Sequence, residues 1–316
     1  MKILVTGGAG FIGSHTAEAF AAAGHEVTAV DNLSDYYSKE LKKYTVKTLK
    51  EKGVNFIEVE LMEADLDKIV SGIDYVFHLA AQPGISSAVP FSAYERNNIL
   101  ATHRLVDAVA NAENVKLFVN ISTSSVYGAQ ATGSEEAEPQ PTSFYGVTKL
   151  AAEQLALSYY RDRGVPVTSL RLFSVYGPRE RPEKLYTKLI HSIVKGEEFP
   201  LYEGSRDHVR SFTYIGDVVD AFEKVLENPT KCYGEIFNVG TDKTATTGEG
   251  IDIIENVLGK KANIKTVPSR AGDQMKTEAN IDKIKEILSW QPQTDITDGL
   301  KRQVEWFKDN DIQKLI

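Results

Sequence analysis

The stretch Ile3-Leu4-Val5-Thr6-Gly7-Gly8-Ala9-Gly10-Phe11-Ile12-Gly13 joins a short apolar run to three glycines spaced G-x-x-G-x-x-G. The alanine-rich residues up to Ala23 have a helical composition, and Gly24 is placed to end that helix. Glycines permit a tight turn and let a diphosphate approach the backbone, while the helix N-terminus offers unpaired N–H groups. The stretch therefore predicts a dinucleotide site, with Gly7, Gly10, Phe11, Ile12 and Gly13 as cofactor-binding residues.

Outward from this turn, short apolar runs alternate with helical patterns along the first half of the chain. The runs lie at 26–30, 55–59, 75–79, 117–121 and 167–172, and another lies at 235–240. Strands separated by helices are typical of βαβ units, and near-continuous apolar strands are typical of a buried parallel sheet. After about Gly177, prolines and charged segments interrupt the rhythm, and helices are predicted at 250–258 and 281–288. The sequence predicts an α/β fold with a smaller C-terminal region.

Composition restricts the kinds of partner. The 316 residues include 36 basic and 44 acidic side chains, so the net charge of −8 disfavours nucleic acid and anionic membranes. No stretch approaches the roughly 18 apolar residues of a membrane span, and the apolar N-terminal run is too short for a signal peptide. The single cysteine, Cys232, excludes an internal disulfide and is expected to be a buried apolar residue. We expect a cytoplasmic protein.

Asp31 ends the second predicted strand, 18 residues after Gly13. A carboxylate at this position accepts hydrogen bonds from ribose hydroxyls and repels a 2′-phosphate. No arginine lies between Asp31 and Lys39, so NAD is favoured over NADP. The alternative is a turn-forming aspartate before Asn32. None of the six histidines is paired at a metal-ligand spacing, so no metal is predicted.

Tyr145 and Lys149 stand four residues apart at the start of a segment rich in helix formers. Residues four apart lie on one helix face, where an ammonium favours the phenolate and lowers the tyrosine pKa. Such a pair suits proton transfer. The same spacing is also common on solvated helix faces, so the pair alone does not decide the function.

A third segment, Ser122-Thr123-Ser124-Ser125-Val126-Tyr127-Gly128, comes directly after an apolar strand. With the glycine turn and the Tyr145/Lys149 pair, it resembles the extended short-chain dehydrogenase/reductase family, in particular its nucleotide-sugar epimerases and dehydratases. The resemblance covers nearly the whole chain. It continues through the segments at 78–82, 98–102, 171–178, 210–217, 270–273 and 290–292.

The resemblance implies a Rossmann-type, doubly wound parallel sheet. It places an NAD-binding domain at residues 1–176, with return segments at about 211–240, and a mainly UDP-sugar-binding α/β region at 177–316. In family members of this type, the tyrosine is the general base and the lysine lowers its pKa and holds the nicotinamide ribose. The threonine hydrogen-bonds the reacting hydroxyl. Tyr145, Lys149 and Thr123 match those positions, although residues 122–125 also suit a polar strand end.

The resemblance also implies contacts to cofactor and substrate. The further cofactor-binding residues that it predicts are Asn32, Leu79, Ala80, Ala81 and Asn98. The substrate-binding residues that it predicts are Ser124, Ser174, Arg181, Arg210, Arg270 and Asp273. Arg206, like Arg210 and Arg270, is a candidate for the UDP diphosphate, and each of the three also suits a surface ion pair. The helices after Asn98 and Ser143 are expected to form a homodimer, as in the family.

The residues directly after Thr123 narrow the reaction. Related dehydratases carry an Asp-Glu pair there, and related decarboxylases carry a glutamate before the valine, whereas this chain has Ser124 and Ser125. The resemblance therefore implies epimerisation at C4: the tyrosinate takes the hydroxyl proton, NAD takes the hydride, and the 4-keto sugar is reduced on its other face.

The segments 31–42 and 177–182 are similar to those of UDP-glucuronate 4-epimerases. There Arg181 matches a residue at the sugar end, and a guanidinium clamps a carboxylate bidentately. Oxidation of a hexuronate at C4 gives a β-keto acid, which loses CO2 readily when its carboxylate bond aligns with the carbonyl. Arg181, with Ser174 or Thr187, would hold the carboxylate out of that alignment. The alternative for Arg179 and Arg181 is surface pairing with Glu180 and Glu183.

Three departures from that subfamily bear on the sugar: Ser211 replaces an aspartate, Glu183-Lys184-Leu185 replaces Asp-Met-Ala, and Gln82-Pro83-Gly84-Ile85-Ser86 replaces Gln-Ala-Gly-Val-Arg. The alternatives are a UDP-glucose or UDP-N-acetylglucosamine 4-epimerase and, more remotely, a non-catalytic nucleotide-sensing protein.

Overall fold

The strands come from most of the length of the chain. A computed structural model describes residues 1–84, 89–269 and 276–316. In chain order, the strands in these ranges are β1 (Lys2–Thr6), β2 (Glu26–Asp31), β3 (Asn55–Glu58), β4 (Tyr75–His78), β5 (Leu117–Thr123), β6 (Gln130–Ala131), β7 (Val167–Leu172), β8 (Val175–Tyr176), β9 (Glu198–Tyr202), β10 (Val209–Arg210), β11 (Thr213–Tyr214), β12 (Ile236–Val239), β13 (Ala245–Thr246), β14 (Asn263–Val267) and β15 (Lys276–Thr277).

Helices alternate with the longer strands. In chain order they are α1 (Phe11–Ala22), α2 (Lys39–Glu51), α3 (Leu66–Val70), α4 (Phe91–Tyr94), α5 (Ala101–Asn111), α6 (Phe144–Arg163), α7 (Leu185–Lys195), α8 (Ile215–Glu227), α9 (Thr247–Leu258), α10 (Asp282–Leu288) and α11 (Ile296–Asp309). A π-helical segment, Glu95–Leu100, joins α4 to α5.

The main sheet is parallel and doubly wound, which confirms the predicted fold class. Within the described ranges its order is β12-β7-β5-β4-β1-β2-β3. Every pairing in it is parallel. The chain winds outward from β1 to β3 and then crosses to β4 on the other side of β1. This reversal opens a crevice beyond the carboxyl ends of β1 and β4, where ligands bind in such sheets.

Apolar strands form this sheet because both of its faces are covered. In β1, Ile3 and Val5 join the cluster on one face, and Leu4 joins the cluster on the other. All three side chains are fully buried. A third apolar cluster lies among α7, α9 and α11, and Leu41 of α2 joins it. The N-terminal half therefore contributes to the core of the C-terminal region.

Smaller sheets lie around the crevice. Their orders are β13-β10-β15-β6, β11-β8 and β14-β9. Two later segments of the chain return to the main sheet. β12 pairs with β7, and Phe222 of α8 packs on Phe77 of β4.

The predicted boundaries are close to the observed ones, and two differences matter for the site. β5 runs two residues beyond the predicted end at Ile121, so Thr123 lies at the carboxyl end of the sheet. α9 begins at Thr247 instead of 250, because Thr246 and Glu249 form a capping box. In the described parts of the chain, no helix has the length and apolar character needed to cross a membrane.

Candidate active site

A cleft of about 820 Å³ opens over the carboxyl ends of the central strands. One wall carries the glycine turn after β1 and the segment after β4, and the other carries residues from the C-terminal region. This volume lies within the range of about 300–1,000 Å³ that is usual for ligand-binding clefts.

The glycine turn fits a diphosphate. Gly7 has a φ of +69°, and a Cβ built on it would lie 2.8 Å from the amide nitrogen of Ala80. Gly13 packs against the backbone of the turn, where its Cβ would lie 2.8 Å from the carbonyl carbon of Gly7. Gly10 caps α1 without a side-chain hydrogen bond, so the first N–H groups of the helix stay available to an anion. Gly7, Gly10, Phe11, Ile12 and Gly13 all line the cleft.

Asp31 both shapes a turn and faces the cleft. Its Oδ2 accepts a hydrogen bond from the Ala9 N–H at 3.1 Å, and its Oδ1 accepts one from the Leu33 N–H at 2.8 Å. Burial raises the pKa of Asp31, and the charge of Lys42 and these N–H groups oppose the rise. Asn32 lines the cleft beside it and accepts from the Ser34 N–H at 3.0 Å. The carboxylate is therefore placed where a ribose would meet it.

Tyr145, Lys149 and Thr123 meet in the cleft. Ser143 caps α6 by accepting a hydrogen bond from the Gly146 N–H at 3.1 Å, which starts the helix one residue before Tyr145. Thr123 ends the strand β5, and its Oγ1 accepts from the Ser125 N–H at 3.2 Å. The Thr123 side chain also hydrogen-bonds Tyr145.

Burial shifts the pKa values of both Tyr145 and Lys149. Burial raises the pKa of Tyr145, and the hydrogen bond with Thr123 and the charge of Arg181 oppose this rise. Burial lowers the pKa of Lys149 to about 8, and the nearby Glu153 carboxylate opposes that shift. The predicted lowering of the Tyr145 pKa by Lys149 is therefore not found, because burial dominates and the groups that oppose it are Thr123 and Arg181.

Behind the cleft wall, buried polar side chains join the cofactor turn to the segment after β4. The Thr6 Oγ1 accepts hydrogen bonds from the Leu79 and Ala80 N–H groups, each at 3.1 Å. It also bonds the Nδ1 of His78 at 2.8 Å, and the His78 Nε2 bonds Thr102 at 2.9 Å. Burial and the charge of Lys149 lower the pKa of His78 to about 3, so the ring is neutral.

Asn98 extends this series of buried hydrogen bonds and is not among the residues that line the cleft. Thr102 donates to the Asn98 carbonyl at 2.6 Å. The Asn98 side chain accepts from the Gln82 N–H at 2.7 Å and donates to Thr148 at 3.0 Å. Asn98 is buried, and its neighbour Asn97 is the one that lines the cleft. The Asn98 side chain thus links Gln82 to α6, and its contact with the cofactor stays a prediction.

Arg181 presents an unpaired donor at the substrate end. Its Nε pairs with Glu183 at 3.2 Å, but its Nη1 is buried without a hydrogen-bond partner among the described residues. Arg181 lines the cleft together with Ser124, Ser174 and Arg210. Pairing with Glu183, the alternative interpretation of Arg181, therefore accounts for its Nε but leaves its Nη1 without a partner among the described residues.

Three neighbours predicted near this end have other partners. Arg179 pairs with Glu18. Thr187 donates to the Glu180 carboxylate at 3.1 Å and is not among the residues that line the cleft, so its contact with the sugar stays a prediction. Arg206 pairs with Asp252 on the surface at 2.6 Å instead of lining the cleft. Arg270 and Asp273 lie outside the described residues.

Several cleft residues were not predicted from the sequence. They are Tyr36, Lys42, Gln82, Ser122, Tyr186 and Phe212. The Ser122 Oγ and the Tyr186 hydroxyl are buried without a partner among the described residues. Gln82 belongs to the segment 78–82 and Ser122 to the segment 122–128. Their positions, shortly after β4 and near the end of β5, could have predicted that they line the cleft. Within the described ranges, no group of three or more metal-ligating side chains is found.

Comparisons with known proteins agree with this geometry. A Bacillus subtilis protein, the uncharacterized UDP-glucose epimerase YtcB, is 38% identical over 97% of this chain and 98% of its own length. UDP-glucuronate 4-epimerase 3 of Arabidopsis thaliana is 34% identical over 97% of this chain and 76% of its own length. The UDP-glucuronic acid 4-epimerase of Bacillus cereus, solved with UDP-glucuronic acid and NAD, superimposes with a TM-score of 0.92 at 34% identity, covering 98% of this chain and 100% of that one.

The family assignment rests on most of the chain. Residues 3–240 match the NAD dependent epimerase/dehydratase family, from β1 through the end of β12. The matched part contains the glycine turn, Thr123, the Tyr145/Lys149 pair and Arg181. The chain therefore belongs to the NAD dependent epimerase/dehydratase family.

Proposed function

We propose that this protein is an NAD-dependent UDP-sugar 4-epimerase that converts UDP-glucuronate to UDP-galacturonate through a 4-keto intermediate without losing CO2. The observation that carries the choice of sugar is the buried Nη1 of Arg181, which has no hydrogen-bond partner in the described part of the chain; Arg181 lines the same cleft as Tyr145. A carboxylate is the ligand that best satisfies such a guanidinium.

NAD is held by the parts of the cleft that fit it. The N-terminus of α1 receives the diphosphate and Asp31 receives a ribose, with Asn32, Leu79, Ala80 and Ala81 along the same wall. When bound, NAD supplies reversible hydride acceptance at C4 of the sugar. We assign residues 1–176, with 211–240, to this cofactor domain and 177–316 mainly to the UDP-sugar.

The chain's own residues move the proton and protect the carboxylate. Tyr145 takes the proton of the 4-hydroxyl and later returns it, and Thr123 orients that hydroxyl. We assign Lys149, which lines the cleft, to the nicotinamide ribose, while Thr123 and Arg181 are the groups that favour the charged form of Tyr145. Ser124 and Ser125 provide no carboxylate for elimination. Arg181, with Ser174, holds the C6 carboxylate away from alignment with the C4 carbonyl, which retains CO2.

A second candidate function, epimerisation of UDP-glucose or UDP-N-acetylglucosamine, is favoured by one contact. Glu183 pairs with the Nε of Arg181 and thereby places a negative charge near the carboxylate site. The two functions separate when purified protein is incubated with each of the three UDP-sugars and the 4-epimers and CO2 are quantified. We expect UDP-galacturonate to form fastest; preferred turnover of a neutral sugar would contradict the proposal.

The cofactor site yields a prediction at Gly13. We expect Gly13→Ala to weaken NAD binding at least about tenfold, since overpacking such a contact costs about 1–3 kcal/mol. NAD content after purification and titration with NAD measure the effect. Gly24→Ala is the matched control at the other end of α1, because Gly24 has a φ of +83° but no atom within 4 Å of a built Cβ. It should lose stability but retain NAD; equal NAD loss in both variants would contradict the prediction.

The homodimer is proposed through α4, α6 and the π segment between α4 and α5. Large apolar side chains are exposed there: Phe91 at 43%, Leu100 at 43%, Phe144 at 57% and Val147 at 44%. The rings of Phe91 and Phe144 lie 5.3 Å apart, so the two helices present one apolar surface. We further propose a cytoplasmic location, since the single cysteine, Cys232, is buried and allows no internal disulfide, as is usual in a reducing compartment.

We expect Leu100→Glu to shift the protein from dimer to monomer, because a charge in an apolar interface is desolvated without a partner. Sedimentation velocity across a concentration series measures this shift. Ile57→Glu, at an exposed apolar residue of β3 outside this surface, is the control and should leave the dimer intact. A wild-type protein that stays monomeric at all concentrations would overturn the dimer.

A further inference from the structure

Tyr36 contacts the arginine that the proposed function makes responsible for the sugar carboxylate. It lies in the loop between β2 and α2, far from Arg181 in sequence, and it lines the cleft. Its ring centre is 5.6 Å from the guanidinium carbon of Arg181. At this distance the π face of a tyrosine attracts a guanidinium.

The hydroxyl end of Tyr36 contacts the segment after β4. A Cβ built on Gly84 would lie 2.6 Å from the Tyr36 hydroxyl oxygen, so the phenol packs directly on the Gly84 backbone. Gly84 is itself fixed, because its carbonyl accepts a hydrogen bond from the Tyr94 hydroxyl at 2.8 Å. Tyr36 therefore bridges the segment after β4 and the guanidinium of Arg181.

Three hydrogen bonds stabilise the loop that carries Tyr36. The Leu33 N–H donates to Asp31 at 2.8 Å and the Ser34 N–H donates to Asn32 at 3.0 Å. The Lys42 ammonium donates to the Ser34 carbonyl at 2.8 Å. These bonds fix the two ends of the segment between β2 and α2 that carries Tyr36.

The Arg181 guanidinium contacts two neighbours. Its Nε pairs with Glu183, whose side chain is 42% exposed, and its carbon lies over the Tyr36 ring in the cleft. Its Nη1 is buried and has no hydrogen-bond partner among the described residues. We infer that Tyr36 is the positioning residue for Arg181 and thereby sets the preference for a UDP-hexuronate over a neutral UDP-hexose. This inference rests on the proposed carboxylate contact of Arg181.

The test measures binding, so that it does not depend on turnover. Affinities for UDP-glucuronate and UDP-glucose are determined by calorimetry on the NAD-bound protein in a Tyr145→Phe background. The variants are Tyr36→Leu, Tyr36→Phe, Arg181→Ala and the combination of Tyr36→Leu with Arg181→Ala. The readout is the ratio of the two affinities, which a general loss of folding does not shift selectively, and thermal unfolding and NAD content accompany each variant.

We expect Tyr36→Leu to lower the preference for UDP-glucuronate about tenfold, as the loss of a partly desolvated cation–π contact predicts. Tyr36→Phe keeps the ring and should retain the preference, and Tyr36→Leu should have no further effect once Arg181 is alanine. An unchanged ratio in Tyr36→Leu while Arg181→Ala lowers it, or an equal drop with and without Arg181, overturns the inference alone. An unchanged ratio in Arg181→Ala overturns the carboxylate contact itself, and the inference with it.

Discussion

Tyr145→Phe is expected to lower kcat by about 10³-fold or more, since positioned acid–base groups contribute about 10²–10⁴-fold. The substitution removes the hydroxyl that takes and returns the proton of the sugar 4-hydroxyl. It keeps the ring, and it leaves the helix start at Ser143 unchanged. NAD and the UDP-sugar should therefore still bind, and the loss should appear in kcat more than in KM.

The control is another tyrosine on the same helix. The Tyr159 hydroxyl hydrogen-bonds Asp107 at 3.0 Å and does not line the cleft. Tyr159→Phe should leave kcat within about twofold, because substitutions away from functional features usually change little. Turnover is followed by separating the two UDP-sugar epimers, and NAD content is measured on the same samples. Near wild-type turnover in Tyr145→Phe would refute the assignment of Tyr145 as the base.

Arg181→Ala is expected to lower kcat/KM for UDP-glucuronate about 10²-fold, because hydrogen bonds to charged groups contribute about 1.5–3 kcal/mol. A second effect is more specific. With the carboxylate free to align with the C4 carbonyl, the 4-keto intermediate should lose CO2, so a UDP-pentose product and CO2 should appear. Arg181→Lys should recover part of the rate, because lysine keeps the charge but lacks the planar fork.

Arg206→Ala is the matched control for this prediction, since Arg206 is an arginine of the same region that pairs with Asp252 at the surface. Its turnover and its CO2 release should match the wild type. The prediction for Arg181 fails if UDP-glucuronate turnover is unchanged, or if UDP-glucose turnover falls by the same factor. Labelled CO2 release and chromatography of the nucleotide sugars measure both outcomes.

The glycine turn and the strands were predictable because each is a local pattern. The run Ile3-Leu4-Val5, the glycines and the helix to Ala22 are contiguous, and their conformations depend on residues within a turn of one another. The Tyr145/Lys149 pair was likewise readable, because helical spacing places both on one face. The extension of β5 to Thr123 was missed, since pairing with Leu172 of β7 decides it.

The parts of the site that the sequence could not place depend on contacts between distant segments. Asn98 turns its amide to Gln82 and Thr148, and Thr187 bonds Glu180 behind the wall. Neither orientation can be predicted from a motif, because each residue is a sequence neighbour of residues that line the cleft but does not line it itself. Tyr36 was missed for the same reason, since its contact with Arg181 joins residues that lie far apart in sequence.

The most direct measurement of the central claim uses UDP-glucuronate carrying deuterium at C4, incubated with the purified enzyme. If Tyr145 moves only the hydroxyl proton while the hydride leaves C4 and returns to it, UDP-galacturonate will form with the deuterium retained and without CO2. UDP-galacturonate with solvent hydrogen at C4, a decarboxylated product, or no 4-epimer at all would contradict the account.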